Sequence, residues 1–241
     1  MDLNSKNKDP FGAAIRDFAN TGNNTLEIEV FQEDFEPDII PVKHLFRDYK
    51  NMPKIEQKAL ELARGRVLDI GAAAGCHSKF LKQKGFEIYP IDISALSTQY
   101  LKSIDFENAQ CINLFDYNPI VKFDTILMLM NGLGVAENIQ GLNSLFYKLK
   151  QLLNPGGQVL LDTSDLKFLF EEEDGSFLIP LDKYYGETRY QIKYKEHITD
   201  WFPWLYIDID TLSFHAQRNG FKCTLIQSGD HYDYLAKLEL C

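Results

Sequence analysis

Between Arg66 and Asp162 the chain alternates short apolar runs with amphipathic ones, and that rhythm leaves few folds open to it. Arg66–Ile70, Phe86–Ile91, Ala109–Leu114, Phe123–Met130 and Gln158–Asp162 read as five strands. Ser78–Lys84, Ala95–Ile104 and Asn138–Leu153 read as helices between them; Gly85 closes the first and the Asn154-Pro-Gly-Gly157 turn follows the last. Phe123–Met130 is almost wholly apolar. Such a strand is buried on both faces, as in a parallel sheet covered by helices. Phe221–Gln227 and Tyr232–Leu240, joined by Ser228-Gly-Asp-His231, add a terminal hairpin. The expected fold is therefore α/β: a doubly wound, mostly parallel, seven-stranded sheet.

The flanks break the rhythm. Residues 1–8 read as a tail, and Phe11–Phe18 as a short helix with Asp9 as N-cap and Pro10 at its first position. Thr21–Thr25 reads as a turn, Leu26–Phe31 as a short strand, and Val42–Arg64 as a helix broken near Met52-Pro53. Residues 1–60 are accordingly expected to form an N-terminal helical cap, and 61–241 the main domain. Within that domain, residues 166–207 form an insertion after the fifth strand, where the alternation of Tyr184–Tyr194 predicts antiparallel strands. Asp210–Gly220 reads as a helix with Asp210 as its N-cap.

Composition narrows the partners. The 241 residues carry 25 basic and 35 acidic side chains, a net charge of -10, with no long Lys/Arg run. Nucleic-acid binding rests on cations meeting phosphates, so the balance disfavours it, and anionic membrane surfaces with it. Cys76, Cys111, Cys223 and Cys241 form no CxxC pair and have no His-x-His companion, so neither a disulfide framework nor a metal site is expected. No run of about 18 apolar residues occurs, so no membrane span is expected, and the cytoplasm is the expected compartment.

Val67-Leu-Asp-Ile-Gly-Ala-Ala-Ala-Gly75 carries the functional argument. A strand feeds a loop of small residues and then a helix, where a ligand can approach the backbone and meet unpaired N–H groups. Ligands of open α/β sheets bind beyond the carboxyl ends of the strands. A dinucleotide fingerprint needs glycine at its first, third and sixth positions, but from Gly71 the latter two are Ala73 and Cys76. A phosphate-binding P-loop needs Lys and Ser/Thr after its second glycine, where Cys76-His77 stand. An acid two residues before the first glycine, and a second glycine four after it, remain.

Asp69-Ile-Gly71-Ala-Ala-Ala-Gly75 resembles the first motif of the class I S-adenosylmethionine-dependent methyltransferases, with Ala73 where that family usually has glycine. Three further segments fit in order. Asp92 ends Tyr89-Pro-Ile-Asp-Ile-Ser94, 23 residues after Asp69; an acid there can accept both ribose hydroxyls. Asn113-Leu-Phe-Asp116 follows the third strand, and Leu152–Gly157 precedes the fifth. The resemblance covers roughly residues 60–165 and 208–240 and implies a Rossmann-like methyltransferase fold. It implies S-adenosylmethionine as cofactor, bound by Asp69, Gly71, Ala73, Gly75, His77, Asp92, Ile93, Phe115, Asp116 and Met130. In it, Phe115 flanks the adenine, Asp116 accepts from its amine, and the end of the fourth strand faces the methyl group.

Each residue has a plainer reading. Asp69 can cap a turn, Asp92 can cap a helix, Asp116-Tyr-Asn-Pro119 is a good turn, and Leu114 and Phe115 can be core. His77, in the first turn of a helix, is expected to be neutral. Asn131 can orient an acceptor through its amide, and Asp162 or Asp165 can act as base or merely cap the next segment. The aromatics of Tyr184–Tyr190 and Trp201–Trp204 can form an acceptor pocket or the core of a flap, and Tyr185, Glu187 and Trp204 are the acceptor-binding candidates. His231, Tyr232 and Asp233 can approach a cleft or be surface. The expected function is in-line methyl transfer to a small molecule, with Asn131 and Asp165 as catalytic candidates. A nicotinamide-dependent oxidoreductase and a non-catalytic interaction protein are the alternatives.

Overall fold

Asp9, Pro10 and Gly22 bracket the first helix, α1 (Pro10–Thr21), of the computed structural model, which describes residues 8–33 and 35–241. The expected tail falls, apart from Lys8, outside the described residues. The Asp9 carboxylate accepts from the Gly12 N–H at 2.9 Å, and the N–H of Gly22, at φ +62°, returns to the Phe18 carbonyl. Strands β1 (Glu27–Gln32) and β2 (Asp38–Pro41) pair antiparallel, and two single 3-10 turns, Val42–Phe46 and Tyr49–Asn51, lead into α2 (Lys54–Leu62). The first sixty residues thus carry a strand pair as well as helices, and Val42–Arg64 is not one broken helix. Each proline holds its predecessor out of the helical region: Ile40 lies in β2 before Pro41, and Met52 is extended at ψ 147° before Pro53.

The alternating region follows as β3 (Arg66–Ile70), α3 (Cys76–Gln83), β4 (Glu87–Asp92), α4 (Ala95–Ser103), β5 (Gln110–Cys111), β6 (Phe123–Met128), α5 (Leu142–Leu152) and β7 (Leu153–Ser164). The tail of the chain gives β8 (Glu187–Tyr194), β9 (His197–Ile198), β10 (Phe202–Leu205), α6 (Ile209–Arg218), β11 (Phe221–Ser228) and β12 (Asp233–Leu240). A seven-stranded, mostly parallel sheet has the order β11-β12-β7-β6-β3-β4-β5. Pairs β4–β5 and β6–β7 are parallel, while β12 runs antiparallel to both β7 and β11. Phe123, Ile126, Leu127, Met128, Val159, Leu160 and Leu161 are fully buried, as strands covered on both faces require.

Two local departures have physical causes. Asn154-Pro-Gly-Gly157 lies inside β7, where the pairing with β6 jumps from Phe123–Leu153 to Thr125–Gln158; Gly156, at φ +74°, supplies the bulge. Helix α6 is capped by Asp208, which accepts from the Thr211 N–H at 2.8 Å, and Asp210 falls in its first turn. The Tyr184–Tyr194 alternation yields β8, which joins a separate antiparallel sheet of order β10-β8-β1-β2, with β9 also on β8.

The residues pack as two compact units. The first comprises the described residues up to Met52 with Leu68–Tyr117 and Arg189–Phe202; the second comprises Pro53–Val67, Asn118–Thr188 and Pro203–Cys241. Among the described residues no helix is long and apolar enough to cross a membrane.

Candidate functional site

In the first unit, β3 delivers Asp69 to a turn that only small residues can make. Gly71 sits at φ +72° and donates its N–H to the Ile91 carbonyl at 2.9 Å. Gly75 also sits at φ +72°, and a Cβ there would lie 2.6 Å from Leu101 Cδ2. Between them Ala73 takes φ +48°, a left-handed conformation that costs an alanine about 1 kcal/mol. Ala73→Gly is expected to change stability by no more than about 1 kcal/mol, because relief of that strain is offset by the entropy glycine loses on folding. Ala73→Val, β-branched in the same conformation, should lose about 1–3 kcal/mol. Denaturant unfolding of both variants checks this.

Asp92, at the end of β4, closes the turn. Its Oδ2 accepts from the Ala73 N–H and its Oδ1 from the Ser94 N–H, each at 2.8 Å. Each carboxylate oxygen keeps capacity for one further donor. Burial, reinforced by the charges of Asp9 and Asp69, pushes the Asp92 carboxyl up to about 6 against those two backbone bonds. Asp69 is buried and accepts from the Ser78 hydroxyl at 2.6 Å. Burial raises its pKa too, opposed by the neighbouring His77 imidazole and by Ser78. His77 itself is buried.

Ile93 follows Asp92 and is half-buried; Cys111 of β5 lies opposite Asp92 in parallel register. Beyond β5 the Asn113 side chain accepts from the Phe115 N–H at 2.9 Å and caps a single turn, Leu114–Asp116. That turn buries Leu114 in the core but leaves Phe115 39% exposed and Asp116 exposed. The first unit therefore brings together a small-residue loop, a carboxylate with spare acceptor capacity and an open aromatic face. These suit the hydroxyl donors of a ribose and a planar base, so the residues fit S-adenosylmethionine.

The second unit holds the remaining candidates. Met130 and Asn131, just beyond β6, lie at φ +59° and +57°. Two successive non-glycine residues in this region cost of order 1 kcal/mol or more each, a strain typical of functional strand ends. Asn131 is held from both sides: its N–H donates to the buried Asp162 at 3.1 Å, and its Oδ1 accepts from the Ser164 hydroxyl at 3.4 Å. Trp204 packs on Gly134, where a Cβ would overlap the indole. Glu187 accepts from the Ile139 N–H at 2.9 Å. The segment after β6 thus gathers Asn131, Trp204 and Glu187.

A second cluster forms around Asp165 and Asp208. Tyr185 directs its single hydroxyl proton between Asp165 at 2.8 Å and Asp208 at 3.2 Å, and Tyr184 donates to Asp208 at 2.6 Å. Asp165 also accepts from the Lys167 N–H at 2.9 Å, so it caps the following turn as the plainer reading has it. Burial and the carboxylates hold both phenols far above their ordinary range, protonated at any physiological pH. Burial works to raise Asp208, but the bonds from Thr211, Tyr184 and Tyr185 outweigh it and keep it ionised. In the last hairpin, Tyr232 is 61% exposed and stacks on Phe168 at 4.4 Å, and Asp233 accepts from the His231 N–H.

Sequence reasoning missed three participants. Asp208 holds both tyrosines, and no local signal set it apart from Asp210 as the N-cap. Ser94 positions Asp92 through its N–H, and its signal was a serine directly before the helix, whose hydroxyl accepts from the Ser97 N–H at 2.9 Å. Asp9, read only as a cap, also accepts from Ser94.

A family model described as a methyltransferase domain matches residues 43–226. The crystal structure of an S-adenosylmethionine-dependent methyltransferase from Bacteroides fragilis, in complex with S-adenosyl-L-homocysteine, is 47% identical in sequence. The match covers 98% of this chain and 97% of that one, with a TM-score of 0.91. Two more distant structures share the fold. The CcbJ methyltransferase from Streptomyces caelestis is 16% identical over 79% of this chain and 90% of its own, with a TM-score of 0.59. The amino pentose methyltransferase CalS10 from Micromonospora echinaspora is 12% identical over 77% and 87%, with a TM-score of 0.52. No curated protein is significantly similar in sequence.

Proposed function

This chain belongs to the class I S-adenosylmethionine-dependent methyltransferases, and from that premise we propose that it methylates a small molecule held by residues of the second unit. Membership of an enzyme family whose 47% identical relative holds S-adenosyl-L-homocysteine sets aside the nicotinamide and non-catalytic readings. The observation that carries the proposal is that the unit holding Asn131, fixed by Asp162 and Ser164, also holds Trp204 on Gly134 and, around Asp165 and Asp208, Tyr184 and Tyr185: aromatics with a few fixed polar groups, the make-up of a small-molecule site. The net charge of -10 also argues against a polyanionic acceptor. Unpaired Cys76, Cys111, Cys223 and Cys241 support a reducing compartment, the cytoplasm.

In this reading Asp92 accepts from the ribose hydroxyls, and the turn Gly71–Gly75 lets the ligand approach the backbone. Asp69, buried and bonded to Ser78, keeps that turn in shape. Phe115 stacks on the adenine while Asp116 accepts from its amine, and His77 and Ile93 complete the first unit's cofactor set. The bound cofactor supplies an activated methyl group on a sulfonium, already a good leaving group, so the protein mainly aligns nucleophile and methyl and excludes water. Asn131 suits the aligning role because the bonds to its N–H and Oδ1 fix its backbone and carbonyl, and among the described residues nothing accepts from its Nδ2. Asp165 takes up the acceptor's proton where there is one to lose, with Tyr185 holding the carboxylate in place. Tyr185, Glu187 and Trp204 contact the acceptor.

The test is incubation with S-adenosylmethionine labelled in its methyl group and with separate metabolite, RNA and protein fractions. Label is expected in the metabolite fraction and is expected to vanish with Asn131→Ala. Incorporation into bulk RNA or protein alone overturns the small-molecule assignment.

A further inference from the structure

The carboxylate of Asp9, 83 residues before Asp92 in sequence, reaches the same corner of the first unit. Its Oδ1 accepts from the Gly12 N–H of α1. Its Oδ2 accepts from the Ser94 hydroxyl at 2.7 Å and, more weakly, from the Leu96 N–H at 3.4 Å. The Ser94 hydroxyl donates to Asp9 and accepts from the Ser97 N–H at 2.9 Å, so its rotamer is fixed from both sides. The N–H of the same serine holds Asp92 Oδ1 at 2.8 Å. Asp9 and Ser94 are buried, and a Cβ at Gly12 would overlap the Ser94 hydroxyl, so α1 and α4 meet with no room to spare. One buried acid caps α1, helps cap α4, and through Ser94 sets the residue that orients Asp92.

A capping aspartate needs only one oxygen and sits at the surface in most helices. Burying its second oxygen against another helix is costly unless that oxygen is fully bonded. Here it is bonded to the residue two places after the cofactor acid. We propose that Asp9 is a positioning residue for cofactor binding, acting through Ser94 to fix the Asp92 carboxylate toward the ribose hydroxyls. This rests on the reading of Asp92 as the ribose-binding acid.

The charge of Asp9 also reaches Asp92. The titratable groups that face Asp92 are Asp9 ahead of α1, Asp69 on β3 and Cys111 on β5, whose thiol is itself pushed up by burial and by Asp92 and Asp9. Removing one of the two nearby negative charges lowers the Asp92 pKa, so the binding-competent carboxylate persists to lower pH.

The experiment is calorimetric titration with S-adenosyl-L-homocysteine from pH 5 to 8 on the full-length wild type, Asp9→Asn, Ser94→Ala and Asp92→Ala, with thermal unfolding of each. Asparagine is as good a cap as aspartate, so Asp9→Asn keeps the α1 cap while losing the charge and the acceptor offered to Ser94. Asp9→Asn is expected to bind about fivefold more weakly at pH 7.5 and to move the midpoint of the pH dependence toward acid. Ser94→Ala, which leaves Asp9 and the α1 cap in place, should weaken binding similarly with a smaller shift of the midpoint. It carries the test where Asp9→Asn compromises folding. Asp9→Asn with wild-type affinity and midpoint, while Asp92→Ala loses binding, overturns the role of Asp9. A fall in melting temperature with no shift of midpoint assigns Asp9 to structure alone and overturns it equally. Unchanged binding in Asp92→Ala instead removes the reading of Asp92 itself.

Discussion

Asp92→Ala is expected to weaken S-adenosyl-L-homocysteine binding by between about a hundredfold and ten-thousandfold. Hydrogen bonds to a charged group contribute about 1.5–3 kcal/mol each, and two ribose hydroxyls sharing one carboxylate give about 3–6 kcal/mol, at 1.4 kcal/mol per factor of ten. The same substitution releases the Ala73 and Ser94 N–H groups that Asp92 now holds at 2.8 Å. Asp92→Asn should not rescue, because its amide presents a donor to one of those two donors. In the wild type, binding should follow the ionisation of Asp92, whose carboxyl burial pushes up to about 6. Affinity rises as pH climbs through 6 and levels off above 7; at pH 5, one unit below, it is about tenfold weaker.

Stability runs the other way. A carboxyl whose folded pKa is raised binds its proton more tightly in the folded state, so its contribution is full below about 4 and is lost as pH rises to about 6. The apoprotein with Asp92 should therefore lose stability relative to Asp92→Asn across that window while gaining affinity for the cofactor. Unfolding curves of the pair with and without S-adenosyl-L-homocysteine separate the two trends. Parallel curves with no pH dependence in their difference would show that Asp92 does not titrate there.

The candidate cofactor loop was legible as a turn because its chemistry is local. Asp69, Gly71 and Gly75 fall within seven consecutive positions, and both glycines take positive φ in the turn. Asp9 and Pro10 announced α1, and Ser228–His231 announced the final turn, for the same reason: the capping or turning residue touches backbone two or three places away. What failed was pairing over distance. Val30 of β1 lies opposite Ile192 of β8, and no local pattern ties residues 162 positions apart. Asp9 and Ser94 are 85 positions apart; Asp9 looked like an ordinary cap, and nothing in its own segment pointed to Ser94. Competition within a window also misled. Asp208 and Asp210 both offer an N-cap, and only the Thr211 N–H at 2.8 Å and the phenols of Tyr184 and Tyr185 favour the first. The Pro-Gly-Gly of residues 155–157 reads as a turn, yet the strand continues through it because a bulge uses the same residues.

Gly186→Ala is expected to remove methyl transfer to the small-molecule fraction while leaving S-adenosyl-L-homocysteine binding intact. Gly186 lies between Tyr185 and Glu187, and its carbonyl accepts from the Tyr206 N–H at 2.8 Å. A Cβ at this position would overlap the carbonyl oxygen of the same Tyr206. Backbone fixed on both sides cannot yield as a side chain does, so the segment around Gly186 must shift by a sizeable fraction of an ångström. Overpacking of this kind costs about 1–3 kcal/mol of stability, which a folded protein survives. Misplacing groups that position a substrate by about 1 Å lowers turnover by about a hundredfold, and the shift here falls on Tyr185 and Glu187 together. Gly134→Ala makes the contrast, because the clashing group there is the Trp204 indole, which can rotate away. It should alter tryptophan fluorescence and slow transfer by about tenfold, corresponding to roughly the 1.4 kcal/mol that separates one decade. Transfer that survives Gly186→Ala at the wild-type rate, in a variant shown by its lower melting temperature to be strained, would place the acceptor away from Tyr185 and Glu187.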